Sequence, residues 1–400
     1  MNNAHLEAFR IPWSEHLLSS LLYAIRPSWR RLGDLESSVL REQLEGVPIS
    51  RPIYIAGLAR SGSTILLEML AAHPDAATHQ YRDFWSIFTP VWAAQASQRV
   101  RTRKTEPRER SHGDGIMITP ESPEAMEEML WMEFFPQAHD PRTSQVLGAQ
   151  TCHPNFETYY RDHLRKLLWV RGKPRYVSKA NYNLTRLEFL HSLFPDARFV
   201  LPIREPRQHI ASLQKQHQLL TQAARYHPRS VKYLERVGHF EFGARRIPIN
   251  AGDTPVIESI LNLWQHGEEV RGWARYWAHL YGFLAERLEA NAELRSASIV
   301  VHYGRLCDRS PEVLEQLFTH CELPHAEKVI RKYADALQRP DYYRTHFSDA
   351  DLSAIEEETQ AVWARFQKLS GKPKSIDELA TMPFALQIPT DPAGCPSGAR

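Results

Sequence analysis

The stretch from Arg51 to Leu70, RPIYIAGLARSGSTILLEML, constrains the chain most, because it sets an apolar run, a small-residue loop and a helix start end to end. Ile53, Tyr54, Ile55 and Ala56 read as a buried strand. Gly57 to Gly62 carries two glycines and a serine, residues that let backbone N–H groups turn inward around an anion. Ser63-Thr64 then opens a helix whose apolar face continues through Ile65, Leu66, Met69 and Leu70. Strand, anion loop and helix in that order predict a P-loop-like three-layer α/β fold, with a central parallel sheet and helices on both faces.

Against the pattern G-x-x-x-x-G-K-[ST], Gly57-Leu58-Ala59-Arg60-Ser61-Gly62-Ser63-Thr64 keeps both glycines and the final hydroxyl, but Ser63 stands where the lysine belongs. That lysine reaches the β- and γ-phosphates of a nucleoside triphosphate, so its absence removes a main source of charge neutralisation from a kinase or ATPase. Arg60 supplies a cation from inside the loop, and its planar fork suits a tetrahedral oxyanion without a metal. Taken alone, the loop is also compatible with a plain strand-to-helix turn in an α/β core.

A second candidate anion site follows the strand Ala197-Arg198-Phe199-Val200-Leu201: Arg204 comes next, Pro206 suits a first helical turn, and Ser212 lies on that helix. Between the two, Arg175-Tyr176-Val177-Ser178 reads as a strand delivering Lys179 at its end, before a helix from Asn181 to Phe194. In an open parallel sheet, reacting groups gather beyond the carboxyl ends of strands. The segment after the loop helix, HPDAATHQYRDFWSIF, therefore offers Asp83 as a carboxylate base, with His79, His112 and Asp114 in reserve. Asp83 equally suits a helix cap or a surface pair with Arg82. Lys179 has a plain reading too, as a surface lysine ending a strand.

The loop resembles the 5′-phosphosulfate loop of sulfotransferases that use 3′-phosphoadenosine 5′-phosphosulfate (PAPS), in particular the arginine-bearing branch that includes tyrosylprotein and many bacterial sulfotransferases. In that family an Arg and a Ser spaced as Arg204 and Ser212 read the 3′-phosphate, and a lysine placed as Lys179 touches the transferring group. The resemblance runs over roughly residues 50 to 370, with sharp motifs only at 57–64 and 204–212. It implies donor contacts by Arg60, Ser61, Gly62, Ser63, Thr64, Arg204 and Ser212, and catalysis by Asp83, Lys179 and Arg60 without a metal. The implied reaction moves a sulfuryl group to an acceptor hydroxyl and leaves adenosine 3′,5′-bisphosphate. The family's Tyr-Glu pair is Tyr303-Gly304 here, so the role of that glutamate does not carry over.

Composition bounds the rest. With 400 residues, 42% hydrophobic and 24% charged, the chain is an ordinary globular protein of one large domain or two modest ones. A net charge of +2 argues against a nucleic-acid-wrapping protein. The opening residues lack the basic start and apolar core of a secretory signal, and no run spans a membrane, so a cytoplasmic protein is expected. Cys152, Cys307, Cys321 and Cys395 form no C-x-x-C pair, so neither a zinc cluster nor a disulfide framework is indicated.

The organisation expected is an N-terminal helical segment at 1–49 and a sulfotransferase domain at 50–384, with a basic loop or lid inserted near 95–120. A disordered tail follows at 385–400. Leu17, Leu18, Leu21, Leu22 and Ile25 sit at helical spacing and are expected to pack outside the sheet or frame the entrance. Ser122-Pro123-Glu124 is expected to begin a helix on which Glu127 and Glu128 read as solvated charges. A small-molecule P-loop kinase and a catalytically inactive nucleotide-binding scaffold are the competing readings. The acceptor stays open among carbohydrate, lipid, peptide and phenol, as does the oligomeric state.

Overall fold

The computed structural model describes residues 6–98, 106–110, 116–337 and 347–369. His112, Asp114, Arg339–Tyr343 and the 385–400 tail lie outside the described residues, as do 99–105 and 111–115 of the basic segment. The strands are β1 Ile53–Ile55, β2 Ala76–Ala77, β3 Arg108–Glu109, β4 Met117–Ile118, β5 Arg175–Lys179, β6 Arg198–Ile203 and β7 Ser298–His302. β3 and β4 form a separate antiparallel pair, and the other five make one parallel sheet in the order β2-β5-β1-β6-β7.

β1 is central and all three of its residues are fully buried, as befits a parallel strand covered on both faces. Alternation along it serves two cores. Tyr54 joins Phe199, Phe156, Tyr160, Trp277 and Tyr281 on one side of the sheet, under the helices Pro154–Arg171 and Glu269–Ala290. Ile53 and Ile55 join Val177, Val200, Leu66, Leu70, Leu314 and Phe318 on the other, under the helices Ser63–Ala71 and Ser310–His320. The result is the three-layer α/β fold with helices on both faces.

Register ends the strands in two level pairs: Ile55 faces Lys179 on β5, while β6 runs on from Val200, opposite Ile55, to Ile203, which faces His302 on β7. Lys179, the loop after Ile55, Arg204 and Tyr303 therefore leave four adjacent strands at the same edge.

Several local readings change. The helix expected to begin at Ser122-Pro123-Glu124 instead begins at Glu128, because residues 120–124 pair with the segment after β2. Glu127 and Glu128 are not solvated. Glu127 accepts hydrogen bonds from the Tyr160 and Tyr176 hydroxyls, and Arg186 grips Glu128 with two bonds of 2.8 and 2.9 Å. Asn181–Thr185 is a single 3-10 turn ahead of the helix Leu187–Leu193. At the N-terminus, helices Trp13–Ala24, Arg26–Val39 and Arg41–Glu45 form as expected, but Leu17, Leu18, Leu21 and Ile25 face outward instead of packing.

Candidate active site

The loop after β1 turns through two left-handed backbone positions, Arg60 at φ 70° and Gly62 at φ 101°. Only glycine fits at position 62 in this arrangement, since a Cβ there would lie 2.5 Å from the Tyr303 ring. At Gly57 a Cβ would lie 2.6 Å from Pro202, so the loop lies tight against β6. The helix Ser63–Ala71 starts behind Gly62 with no capping side chain, leaving its first-turn N–H groups directed at the loop. Ser61 and Ser63 are buried beneath it, while Thr64 Oγ1 accepts a 3.4 Å bond from Arg110 Nη1.

His209 supports the loop from below. Its Nδ1 accepts from Trp277 Nε1 at 3.1 Å, so Nε2 carries the proton and donates to the Ala59 carbonyl at 2.9 Å. Burial pushes this imidazole down to about 3, which keeps it neutral and the tautomer fixed.

The two sequence motifs meet in space. Arg60 Nε donates to Ser212 Oγ at 3.3 Å, and Ser212 is buried on the helix Pro206–Tyr226. Arg204 is 5% exposed, and its guanidinium lies 5.1 Å from the Tyr303 ring centre. The helix N-terminus itself is occupied: the Glu205 carboxylate accepts from Arg207 N at 3.1 Å and Gln208 N at 2.9 Å. Those two backbone N–H groups are thus already bonded within the chain.

Lys179 completes the edge. Burial lowers its pKa; the carboxylates of Glu124 and Glu241 work against that, and the positive Arg110 and Arg60 reinforce it. Glu124 reaches this position because Arg82 N bonds Pro120 O at 2.9 Å, Tyr81 N bonds Ser122 O at 3.1 Å, and Glu124 N bonds His79 O at 3.0 Å. Glu241 accepts from Asn181 Nδ2 at 2.6 Å and lies 3.6 Å from His239 Nδ1. Desolvation alone would lower the His239 pKa, but Glu241 and then Glu124 outweigh it and hold the imidazole above its ordinary value.

Asp83, expected as the base, is already engaged within the chain. Its carboxylate closes a capping box by accepting Gln80 N at 2.7 Å, and it is ion-paired with Arg171. It is not among the charges that act most strongly on Lys179. A carboxylate held this way fixes the start of the turn Tyr81–Ser86. His79 is likewise committed: it is buried against His163, Nε2 to Nε2 at 2.9 Å, and burial lowers its pKa.

Sequence reasoning placed Lys179 and Arg204 after parallel strands, Arg60 in the loop and Ser212 on the following helix; each lies there, and Arg60 and Ser212 touch. It missed Glu124, Glu241, His239, Arg110 and the Tyr303 ring. Tyr303 was legible as the residue ending a strand; the others depend on long-range pairing.

A model of the sulfotransferase family matches residues 52–247, from β1 through the helix Pro206–Tyr226, and over this stretch the chain belongs to that family. Among solved structures it is similar to sulfotransferase STF1 from Mycobacterium tuberculosis H37Rv, at 16% identity over 84% of this chain and 81% of that one, with a TM-score of 0.44. It is similar to sulfotransferase STF9 from Mycobacterium avium at 15% identity over 83% and 80%, with a TM-score of 0.46. A third is the sulfotransferase from Alicyclobacillus acidocaldarius, at 14% identity over 82% and 98%, with a TM-score of 0.38. No curated protein matches the chain significantly.

Proposed function

We propose that the protein transfers a sulfuryl group from PAPS to an acceptor hydroxyl, releasing adenosine 3′,5′-bisphosphate. The observation that carries this reading is the 3.3 Å contact between Arg60 and Ser212, which joins two separate anion-binding elements into one surface. A donor with a 5′-phosphosulfate and a 3′-phosphate needs two such elements, whereas a simple phosphate needs one. The uncapped turn at Ser63, the glycine at position 62 and the buried Arg204 and Ser212 fit that donor.

In this reading the N–H groups at the start of the helix Ser63–Ala71, with Ser61, Ser63 and Thr64, hold the 5′ end. Arg204 and Ser212 hold the 3′-phosphate through charge-assisted hydrogen bonds. When bound, the donor supplies an activated sulfuryl group and a good leaving phosphate. Arg60 and Lys179 stabilise negative charge that develops between them, and burial of Lys179 strengthens its effect. Glu124, carried beside His79 by the 3.0 Å bond from its N–H to His79 O, takes the place expected of Asp83 and accepts the acceptor's proton. Positioning and electrostatics provide most of the acceleration.

The kinase reading loses support from Ser63 at the lysine position. The test is transfer of radiolabel from sulfur-labelled PAPS to a panel of phenol, sugar, peptide and lipid hydroxyls. A labelled product that disappears with Lys179→Ala supports the assignment. Tight donor binding with no transfer to any member of the panel favours the inactive scaffold.

A further inference from the structure

The N-terminal helices carry their amphipathicity inside out. Trp13, Leu17 and Leu21 repeat at i, i+4 along the helix Trp13–Ala24 and are 64%, 58% and 57% exposed. Leu32, Leu35 and Val39 extend the apolar surface on the next helix, Arg26–Val39. The inward side is polar instead. Ser19 is buried and receives a 2.8 Å bond from Arg236, which also reaches the His16 carbonyl.

The second helix is locked in the same sense. Fully buried Lys166 donates to Gly33 O at 2.7 Å and pairs with Glu36 at 3.2 Å, and Glu36 also accepts from Trp92 N at 2.7 Å. Gly33 allows the approach, since a Cβ there would lie 2.5 Å from the Phe88 carbonyl. Neither helix can rotate its leucines inward without stranding a buried charge or hydroxyl, so the apolar face is built to point out.

Around Trp13 the surface is aromatic and basic. The Arg229 guanidinium lies 5.6 Å from the Trp13 ring centre and donates to Ile11 O at 3.1 Å, while Tyr226 is 69% exposed. Arg225 is exposed nearby in the chain, as are Arg10 and Lys232, which pair with Glu7 at 3.7 Å and Glu235 at 3.1 Å. Leucines flanked by tryptophan, tyrosine and cations make a surface that enters the headgroup region of an anionic bilayer. A second copy is a poorer occupant, because a two-fold contact through this face sets the basic rim against its own equivalent.

No helix among the described residues is long and apolar enough to cross a membrane, so the contact is peripheral.

We infer that the face made by Trp13, Leu17, Leu21, Leu32, Leu35 and Val39 docks the protein on an anionic phospholipid bilayer. This goes beyond the proposed transfer reaction and does not depend on it. The test is co-sedimentation of the full chain with vesicles of phosphatidylcholine alone or with phosphatidylglycerol added. Binding is expected to the anionic vesicles, to fall as salt screens it, and to drop about tenfold or more in L17S/L21S with an unchanged melting temperature. Should L17S/L21S fold poorly, Arg225→Glu with Arg229→Glu leaves the leucines in place and is expected to weaken anionic-vesicle binding several-fold. Absence of vesicle binding by the unaltered chain overturns the inference. A concentration-dependent dimer that L17S/L21S abolishes, without vesicle binding, overturns it in favour of a second copy.

Discussion

Removing the Arg204 guanidinium tests the proposed division between the two anion sites. Arg204 is 5% exposed, directly after β6 and over the Tyr303 ring. A hydrogen bond to a charged group contributes about 1.5–3 kcal/mol, and burial at this level places the contact toward the upper part of that range. At about 1.4 kcal/mol per factor of ten, Arg204→Ala weakens adenosine 3′,5′-bisphosphate by roughly 10- to 150-fold. Adenosine 5′-phosphate lacks the 3′ group, so its affinity changes little. Titration calorimetry with both nucleotides reads the difference. A melting curve run beside it accounts for the lost contact with Tyr303, about 2 kcal/mol for a desolvated cation over a ring. Equal weakening of both nucleotides, with the fold intact, refutes the assignment of Arg204 to the 3′-phosphate.

Glu124→Gln is expected to keep nucleotide binding and lower turnover about a hundredfold or more, whereas Asp83→Asn keeps turnover and lowers the melting temperature; the reverse pattern restores Asp83 as the base. Gly62→Ala forces a side chain into a φ of 101° and against Tyr303. It is expected to weaken donor-product affinity about tenfold, from strain of roughly 1–2 kcal/mol, as read by calorimetry. Arg186→Met strands the buried Glu128 carboxylate and is expected to cost ~3–5 kcal/mol in urea unfolding.

The same carboxylate sets an acid limit. Burial alone would raise its pKa, but Arg186 and His139 bring it from 4.5 unfolded to about 2 folded. Its stabilisation is therefore full above the unfolded value and is lost as pH falls from about 4.5 through 2, and an unfolding series across that window reads the slope.

What the sequence disclosed follows from what each residue needs locally. The loop was legible because its glycines have no alternative where the backbone turns left-handed and Tyr303 packs close. Lys179 and Arg204 were legible because a cation directly after a parallel strand goes to one edge of the sheet. Glu124 was hidden: Ser122-Pro123-Glu124 has the composition of a helix start, and only its pairing with His79–Arg82 turns it toward Lys179. Asp83 satisfied both a base and a cap on paper, and its ion pair with Arg171, distant in sequence, was not legible there. Leu17 and Leu21 show the converse limit, since helical spacing identifies an apolar face without saying what it meets.

The central claim, a site built for two separated anions on one nucleotide, is tested most directly by titrating the purified protein with adenosine 3′,5′-bisphosphate and, separately, with ATP and magnesium. The account predicts tight binding of the bisphosphate and weak or no binding of Mg-ATP. Preference for Mg-ATP contradicts it and returns the loop to a kinase reading, and binding of neither contradicts the assignment of Arg60, Arg204 and Ser212 to a nucleotide at all.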